Sequence, residues 1–380
     1  MRIIICPDSF KESLLAHKVC IAIEKGIKKV CPDSHIISIP IADGGRGTVE
    51  CLINGGDGKF RFSESVSVKN PSGDYIKARY AISKDDKTAI IEMASASGLM
   101  LVPQNLRNPF YTSTFGTGEL IKHALDNNCR RIIIGLGDSA TIDGGAGMAQ
   151  ALGVEFVDKK GKIIKDCMNN EKIGGVAKIL FKNIHPAVKE TSFVIAADVT
   201  NPLLGKSGAV YVYGRQKGAK ESDLPILEKN LESFYSVVKK LLKKDFKDLK
   251  YAGAAGGLGA GIMAFLGAKE EKGSGIELIL KELEFEKRIK GADFIFTGEG
   301  KIDEQTSYGK AIWGILKAAK KQNIPVIAIA GNVSGNMKKL YNNGLLAAFS
   351  ICNKPMTLDE ATSNAGELIT NLVEQICRLI

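Results

Sequence analysis

The sequence predicts an α/β protein with two α/β domains, and three observations support this. A chain of 380 residues is longer than an ordinary domain with a single hydrophobic core. Both chain ends alternate short β-branched apolar runs with amphipathic helical patterns, which is typical of βαβ units and a parallel sheet. The middle instead shows alternating segments separated by turn residues, which is typical of antiparallel hairpins.

We therefore predict one doubly wound, Rossmann or flavodoxin-like domain whose parallel sheet is built from both chain ends, residues 1–60 and 285–380. Residues 61–284 form an inserted domain with a mixed sheet. Ligands of open α/β sheets bind at the carboxyl ends of the strands. We expect the functional site in the cleft between the two domains.

The composition is that of an ordinary globular protein, with 44% hydrophobic and 25% charged residues. The net charge of +10 comes from 52 basic against 42 acidic residues. The lysines are spread along helical stretches without interleaved aromatic residues, so we expect a solvated surface that attracts anionic substrates and no nucleic-acid partner.

The spacing of the cysteines and the length of the apolar runs indicate where in the cell the protein is expected. Eight cysteines without C-x-x-C spacing are typical of reduced thiols, and four histidines without paired spacing disfavour a zinc site. The longest uncharged run, residues 252–268, is rich in glycine and shorter than a membrane span. The start of the sequence has no secretory pattern. We expect a cytoplasmic protein without a membrane partner.

The elements follow from apolar periodicity and turn residues. The predicted strands are residues 2–6, 35–41, 60–68, 75–82, 88–93, 131–134, 192–197, 294–296, 325–330 and 346–352, with a further hairpin over 154–164. The predicted helices end near residue 30, begin near residue 49, and cover 114–127, 223–244, 308–321, 336–342 and 357–379.

The central feature is a glycine-rich loop, residues 135–147, between a buried strand and a helix. Its glycines would let backbone N–H groups approach an anion, and Ser139 and Thr141 add hydroxyls. The alternative is a turn that needs small residues for packing. A second glycine-rich loop, residues 253–261, also precedes a helical pattern, and neither loop has the G-x-G-x-x-G spacing of dinucleotide-binding proteins.

Acidic residues follow several predicted strands, namely Asp8, Asp43 and Asp198. Two structural alternatives stay open. Ser9 and Glu12 have capping-box spacing, although Asp8 and Lys11 are not needed for that cap, and a lone acidic residue such as Asp43 often caps a helix. A polar segment, residues 297–306, follows another strand and has more functional groups than a connection requires. Residues 205–207 (GKS) lack the rest of a P-loop.

Carboxylates and glycine loops at strand ends favour phosphoryl transfer. In that chemistry Mg²⁺ is held by one or two carboxylates, while backbone amides and a lysine bind the phosphates. The residues alone thus point to a small-molecule kinase. An alternative is a non-catalytic two-domain protein that binds a small carboxylate. The absence of the G-x-G-x-x-G motif disfavours a nicotinamide dehydrogenase.

The chain resembles the type I glycerate kinases of bacteria in a series of segments that appear in the family's order and spacing over essentially its whole length. The segments are residues 6–13 (CPDSFKES), 40–45 (PIADGG), 92–94 (EMA), 97–99 (SGL), 113–120 (STFGTGEL), 143–148 (DGGAGM), 197–203 (ADVTNPL) and 297–300 (TGEG), with Asp303, Gln305 and Thr306.

The resemblance implies ATP- and Mg²⁺-dependent phosphorylation of D-glycerate, usually to 2-phosphoglycerate. The expected partners are therefore glycerate and ATP, and a homodimer is considered. Asp43 would be the base or orienter of the substrate hydroxyl, and Lys11 would neutralise phosphate or carboxylate. The implied catalytic residues are Asp43, Lys11 and Asp198; the metal ligands Asp198, Glu299 and Asp303; and the substrate- or phosphate-binding residues Asp8, Ser9, Ser139, Thr141, Gly144, Gly145, Gly256, Gly257, Gln305 and Thr306.

Three positions depart from the family pattern. Arg46 replaces the glutamate of A-D-G-G-E-G-T, Asp138 replaces the second glycine of G-G-S-A-T, and Ile312 replaces the proline of G-K-A-P. Arg46 reverses a charge close to Asp43, and Asp138 puts a side chain where glycine conformation or close phosphate approach is expected. These departures leave open a weakened enzyme or a kinase of a different hydroxy acid.

Overall fold

The computed structural model describes residues 1–10, 13–268, 274–307 and 311–380. The chain divides into two compact units. The first consists of Met1–Asp43, Glu50–Phe60 and Gly273–Ile380, and the second of Gly44–Val49 and Arg61–Lys272. Compared with the predicted boundaries, the second unit gains residues 44–49 and ends before residue 284.

The strands and helices are numbered in chain order. The strands are β1 (Arg2–Ile5), β2 (His35–Ser38), β3 (Phe60–Phe62), β4 (Val66–Lys69), β5 (Tyr75–Ala78), β6 (Ala81–Ser83), β7 (Thr88–Glu92), β8 (Arg131–Gly135), β9 (Glu155–Asp158), β10 (Val176–Leu180), β11 (Ser192–Ala196), β12 (Phe294–Ile302), β13 (Val326–Val333) and β14 (Leu345–Ser350). The α-helices are α1 (Ala16–Val30), α2 (Thr48–Gly55), α3 (Ala94–Ser97), α4 (Phe115–Asp126), α5 (Ala146–Ala151), α6 (Asn170–Ile173), α7 (Ala209–Tyr213), α8 (Leu224–Leu242), α9 (Ala254–Phe265), α10 (Gly275–Glu282), α11 (Phe285–Arg288), α12 (Ala311–Lys320), α13 (Lys338–Tyr341), α14 (Leu358–Ser363) and α15 (Ala365–Cys377).

The first unit contains a five-stranded sheet in the order β14-β13-β12-β1-β2. All its neighbouring strands are parallel. The strands come from both ends of the chain, which confirms the predicted doubly wound fold. Numbered within the unit, the order is 2-1-3-4-5, that of flavodoxin-like sheets, so the topological switch point lies between β1 and β12.

The core of this unit follows from the period-2 pattern of the strands. Ile3 and Ile5 lie in one cluster with apolar residues of α1 and α15, such as Ile23 and Val373. The two helices can approach closely because α1 has Gly26 at the contact, where a Cβ would lie 2.6 Å from the carbonyl oxygen of Thr370. The central sheet is therefore rigidly backed, which fixes the positions of its carboxyl ends.

The second unit contains a mixed sheet in the order β11-β8-β7-β6-β3. Strands β11, β8 and β7 are parallel, and β6 runs antiparallel to β7. The predicted hairpins are confirmed for β4 with β5 and for β6 with β7. The sequence did not indicate that β7 also pairs with β8 in parallel, because its apolar run fits either role.

Two local predictions differ from the structure, and part of a third lies outside the described residues. The turn over residues 154–164 is present as a bridge between Val157 and Ile163, but the ladder partner of β9 is β10. Strand β12 continues to Ile302, so half of the predicted polar loop is strand. The first turn of the predicted helix over 308–321 lies outside the described residues.

Among the described residues, we find no helix that combines the length and the apolar character required to cross a membrane.

Candidate functional site

In the first unit, acidic side chains meet the carboxyl edge of the parallel sheet at its switch point. Asp8 follows β1, Asp43 follows β2, and Glu299 lies near the end of β12. The backbone N–H of Asp8 donates to the carbonyl oxygen of Gly298 at 2.8 Å, which places Asp8 beside β12. The parallel topology thus brings together three carboxylates that are distant in the sequence.

The electrostatics of Asp8 reflect this convergence. Its pKa is raised from 3.8 to about 7, first by burial and then by the negative charges of Asp43 and Glu299, while hydrogen bonds from Ser9 oppose the rise. The backbone N–H of Ser9 donates to Asp8 Oδ1 at 2.5 Å. Asp8 therefore exchanges a proton near neutral pH, as a general base at physiological pH should.

The polar segment after β12 positions Glu299. Thr306 is fully buried, and its hydroxyl donates to Glu299 Oε1 at 2.9 Å. The same hydroxyl accepts the backbone N–H of Asp303 at 3.2 Å, and Lys301 Nζ lies 3.0 Å from Asp303 Oδ2. Thr306 therefore orients the carboxylate at the switch point, and its role as a ligand of substrate stays a prediction.

The segment between β1 and α1 shows that one structural alternative, a helix cap formed by Ser9, is wrong. Helix α1 begins at Ala16, its N-cap is Leu15, and no side chain caps it. Ser9 lies too far upstream to cap this helix and instead donates to Asp8. Lys11 lies outside the described residues, as does the side chain of Gln305, so their predicted roles remain predictions.

In the second unit, the predicted glycine-rich loop follows β8 and leads into α5. It is organised by Asp143, which is fully buried. The Asp143 carboxylate accepts the backbone N–H and the hydroxyl of Thr114 and the backbone N–H groups of Gly145 and Gly147. Burial raises the pKa of Asp143, although these hydrogen bonds oppose the rise. Asp143 thus holds the loop together from inside.

A buried lysine that the sequence analysis missed lies beneath the same loop. Lys217 is 2% exposed, and its Nζ donates to Ser139 Oγ at 2.7 Å and to the carbonyl oxygen of Thr141 at 2.8 Å. Burial lowers the pKa of Lys217 to about 7, and the negative charge of Asp143 opposes this. In a chain with 52 basic residues, no local signal distinguishes this lysine from solvated ones.

The glycine-rich loop after β8 packs against the second glycine-rich segment, which lies mostly in α9 and has left-handed backbone at residues 255–257. Gly256 has a φ of +67°, and a Cβ there would lie 1.9 Å from the carbonyl oxygen of Thr141. The N–H of Gly144 donates to the carbonyl oxygen of Gly256 at 3.1 Å, and a Cβ on Gly145 would lie 2.9 Å from Gly261. Close packing therefore accounts for these glycines and for Gly257, where a Cβ would lie 2.9 Å from Gly144; their phosphate-binding role stays a prediction.

Two of the three departures from the family pattern lie in contact. Asp138 adopts a φ of +59°, a left-handed conformation that aspartate tolerates better than most residues. Its Oδ2 accepts the backbone N–H of Arg46 at 3.2 Å, and both side chains are exposed. Asp138 thus fits the backbone conformation that glycine would supply there.

Further candidates lie at the carboxyl ends of the parallel strands of this unit. Asp198 follows β11 and is partly buried. Glu92, which ends β7 and is 8% exposed, accepts the backbone N–H of Val49 at 2.6 Å. Among the residues that the structure describes, no three His, Cys, Asp or Glu side chains form a ready-made metal site.

The fold and the carboxylates at its switch point define an α/β enzyme of the class that binds small ligands at strand ends. A family model described as "Glycerate kinase family" matches residues 3–380, and the chain belongs to this family. It is accordingly a kinase, and the predicted resemblance is confirmed.

Relatives of known name cover nearly the whole chain. The chain is 45% identical to glycerate 2-kinase of Escherichia coli, over 97% of this chain and 95% of the relative. It is 46% identical to glycerate kinase of Bacillus cereus, over 99% and 97%. A crystal structure of a protein from Salmonella typhimurium, proposed to be glycerate kinase 2, matches with a TM-score of 0.86 and 41% identity, over 100% of this chain and 98% of that one.

Proposed function

We propose that this protein transfers the γ-phosphoryl group of ATP to D-glycerate in the presence of Mg²⁺ and forms 2-phosphoglycerate. The observation that carries the proposal is the group of carboxylates at the switch point, where Asp8 exchanges a proton near neutral pH. The name of the relative from Escherichia coli, glycerate 2-kinase, supports the 2-phosphate product.

The reaction requires that the substrate hydroxyl lose its proton as it attacks phosphorus. Asp8 has a pKa of about 7 because burial weakens its hydration and because the negative charges of Asp43 and Glu299 are close. A base with a pKa near the working pH is both available and strong enough for the transfer. We propose that the proton is accepted by one carboxylate of the Asp8–Asp43 pair. Asp43 would be either the base itself or the residue that orients the substrate hydroxyl.

The same cluster fits a divalent cation. Neighbouring carboxylates repel one another, and a cation that neutralises them stabilises the cluster. Mg²⁺ usually binds one or two carboxylates and substrate phosphates, with water completing its shell, so a cage of protein ligands is not needed. Glu299 and Asp303 would hold it in the first unit, with Asp198 as the candidate in the second, and the ion would neutralise charge on the transferred phosphoryl group.

The second unit supplies groups suited to anions. Ser139 and Thr141 flank the buried ammonium of Lys217. We propose that they bind substrate oxygens. The glycines of the two loops give these residues a fixed backbone, because each loop fills the space left by the other.

The test is release of ADP by the purified protein with Mg·ATP and D-glycerate. We expect turnover in the parent and a loss of about 100-fold or more in kcat for Asp43→Asn and for Asp8→Asn. The matched control is Asp33→Asn, which changes an exposed aspartate of the same unit and should leave kcat unchanged. A parent that is inactive with glycerate and active with another hydroxy acid would contradict the substrate assignment.

The product is identified by ³¹P NMR with proton coupling. A phosphate on the 2-hydroxyl couples to one proton and gives a doublet, whereas a phosphate on the 3-hydroxyl couples to two and gives a triplet. A triplet would contradict the proposed 2-phosphate. Turnover that persists after chelation of Mg²⁺ would contradict the metal requirement.

A further inference from the structure

The buried ammonium of Lys217 lies directly beneath two hydroxyl-bearing residues of the loop that follows β8. Lys217 Nζ donates to Ser139 Oγ at 2.7 Å and to the main-chain oxygen of Thr141 at 2.8 Å. In its charged form Lys217 has only donors, so the Ser139 oxygen is the acceptor in this contact.

This contact determines what the Ser139 hydroxyl can do next. Its oxygen is occupied by Lys217, so its hydrogen points elsewhere, and it has no acceptor in the part of the chain that the structure describes. The Thr141 hydroxyl is fully buried and, unlike that of Ser139, has no hydrogen-bond partner there. Buried hydroxyls without partners are uncommon in folded proteins and call for an explanation.

The charges around Lys217 indicate which kind of ligand would accept the hydrogen bond that the Ser139 hydroxyl can donate. A cation removed from water strengthens a hydrogen bond donated by a group that it polarises. The facing negative charge, Asp143, is already the acceptor of four hydrogen bonds within the loop. An anionic oxygen is therefore the acceptor that best completes the Lys217–Ser139 arrangement.

We propose that Lys217 is a positioning residue that turns and polarises the Ser139 hydroxyl so that it donates to an anionic substrate oxygen, of carboxylate or phosphate. Lys217 acts through Ser139 and does not touch the substrate. The proposal rests on the proposed function for the identity of the substrates.

The experiment measures binding without turnover, by calorimetry with D-glycerate and, separately, with a non-hydrolysable ATP analogue and Mg²⁺. Ser139→Ala removes the donor, and Lys217→Met removes the charge while keeping the length of the side chain. We expect each to raise the Kd of one probe by about 10- to 100-fold and to leave the other unchanged. Loss of glycerate binding assigns the oxygen to the carboxylate, and loss of analogue binding assigns it to a phosphate.

A double-mutant cycle separates positioning from general damage. Because Lys217 acts through Ser139, the double variant should bind no worse than Ser139→Ala alone. The matched control is Ser63→Ala, a serine of the same unit that is 7% exposed and whose hydroxyl hydrogen bonds with Glu64 and Tyr80. It should bind both probes as the parent does.

Several outcomes overturn the proposal. The proposal is wrong if Ser139→Ala binds both probes with the parent's affinity, and this outcome counts even if Lys217→Met fails to fold. It is also wrong if the losses of affinity add up in the double variant. If the parent binds both probes but releases no ADP, the proposed function fails while the binding comparison still decides the role of Lys217. If the parent binds neither probe, both fail.

Discussion

Asp8 makes the stability of the first unit depend on pH. Its pKa rises from 3.8 to about 7 on folding because of burial and the nearby charges of Asp43 and Glu299. The folded protein thus holds a proton that the unfolded chain releases, so this contribution to stability is complete below pH 3.8 and is lost as the pH rises through about 7. One pKa unit corresponds to about 1.4 kcal/mol, so the loss amounts to about 4 kcal/mol.

Asp8→Asn tests this value because asparagine has nearly the shape of the protonated acid and does not ionise. The assay is urea unfolding followed by the fluorescence of Trp313, the single tryptophan, which lies on α12 and therefore reports on the first unit. Between pH 5 and pH 8, which spans about two of the three pKa units, we expect the parent to lose about 3 kcal/mol more of unfolding free energy than the variant. Asp33→Asn, the exposed control, should follow the parent.

Magnesium sharpens the test. At pH 8 the ionised cluster should bind the cation, which would raise the unfolding free energy of the parent more than that of Asp8→Asn. Parallel pH profiles for the parent and Asp8→Asn would refute the reasoning, since they would mean that folding does not raise the pKa of Asp8.

Three further predictions concern the second unit, and the first of them has a matched control. Gly256→Ala places a methyl group 1.9 Å from the carbonyl oxygen of Thr141 and should prevent recovery of folded protein. The control, Gly267→Ala, is also at positive φ but has nothing within 4 Å, so it should lower the unfolding free energy by only about 1 kcal/mol. Circular dichroism and urea titration distinguish the two outcomes. Asp143→Asn removes a buried charge that accepts four hydrogen bonds and should cost about 3 to 5 kcal/mol in urea unfolding, so a loss below about 1 kcal/mol would contradict its organising role. Asp138→Gly relieves a left-handed backbone conformation but removes an acceptor, so thermal unfolding should show a change within about 1 kcal/mol, and a larger loss would mean that the contact with the neighbouring N–H is dominant.

The sequence by itself determined the fold class and the family. Apolar periodicity is local, so the strands and helices at both chain ends could be identified, and their alternation implies a parallel sheet. The carboxyl ends of parallel strands share one edge, which is why Asp8 and Asp43 could be recognised as candidates before their positions were known.

Only the tertiary structure decided which of these groups influence one another. That β12 lies beside β1 depends on pairing between residues nearly three hundred positions apart. Burial, the charge of Asp43 and the charge of Glu299 together raise the pKa of Asp8 in the folded protein. The burial of Lys217 beneath Ser139 likewise depends on how distant segments pack. A pKa or a hydrogen bond is a property of surroundings in space, and the local pattern of a sequence does not contain those surroundings.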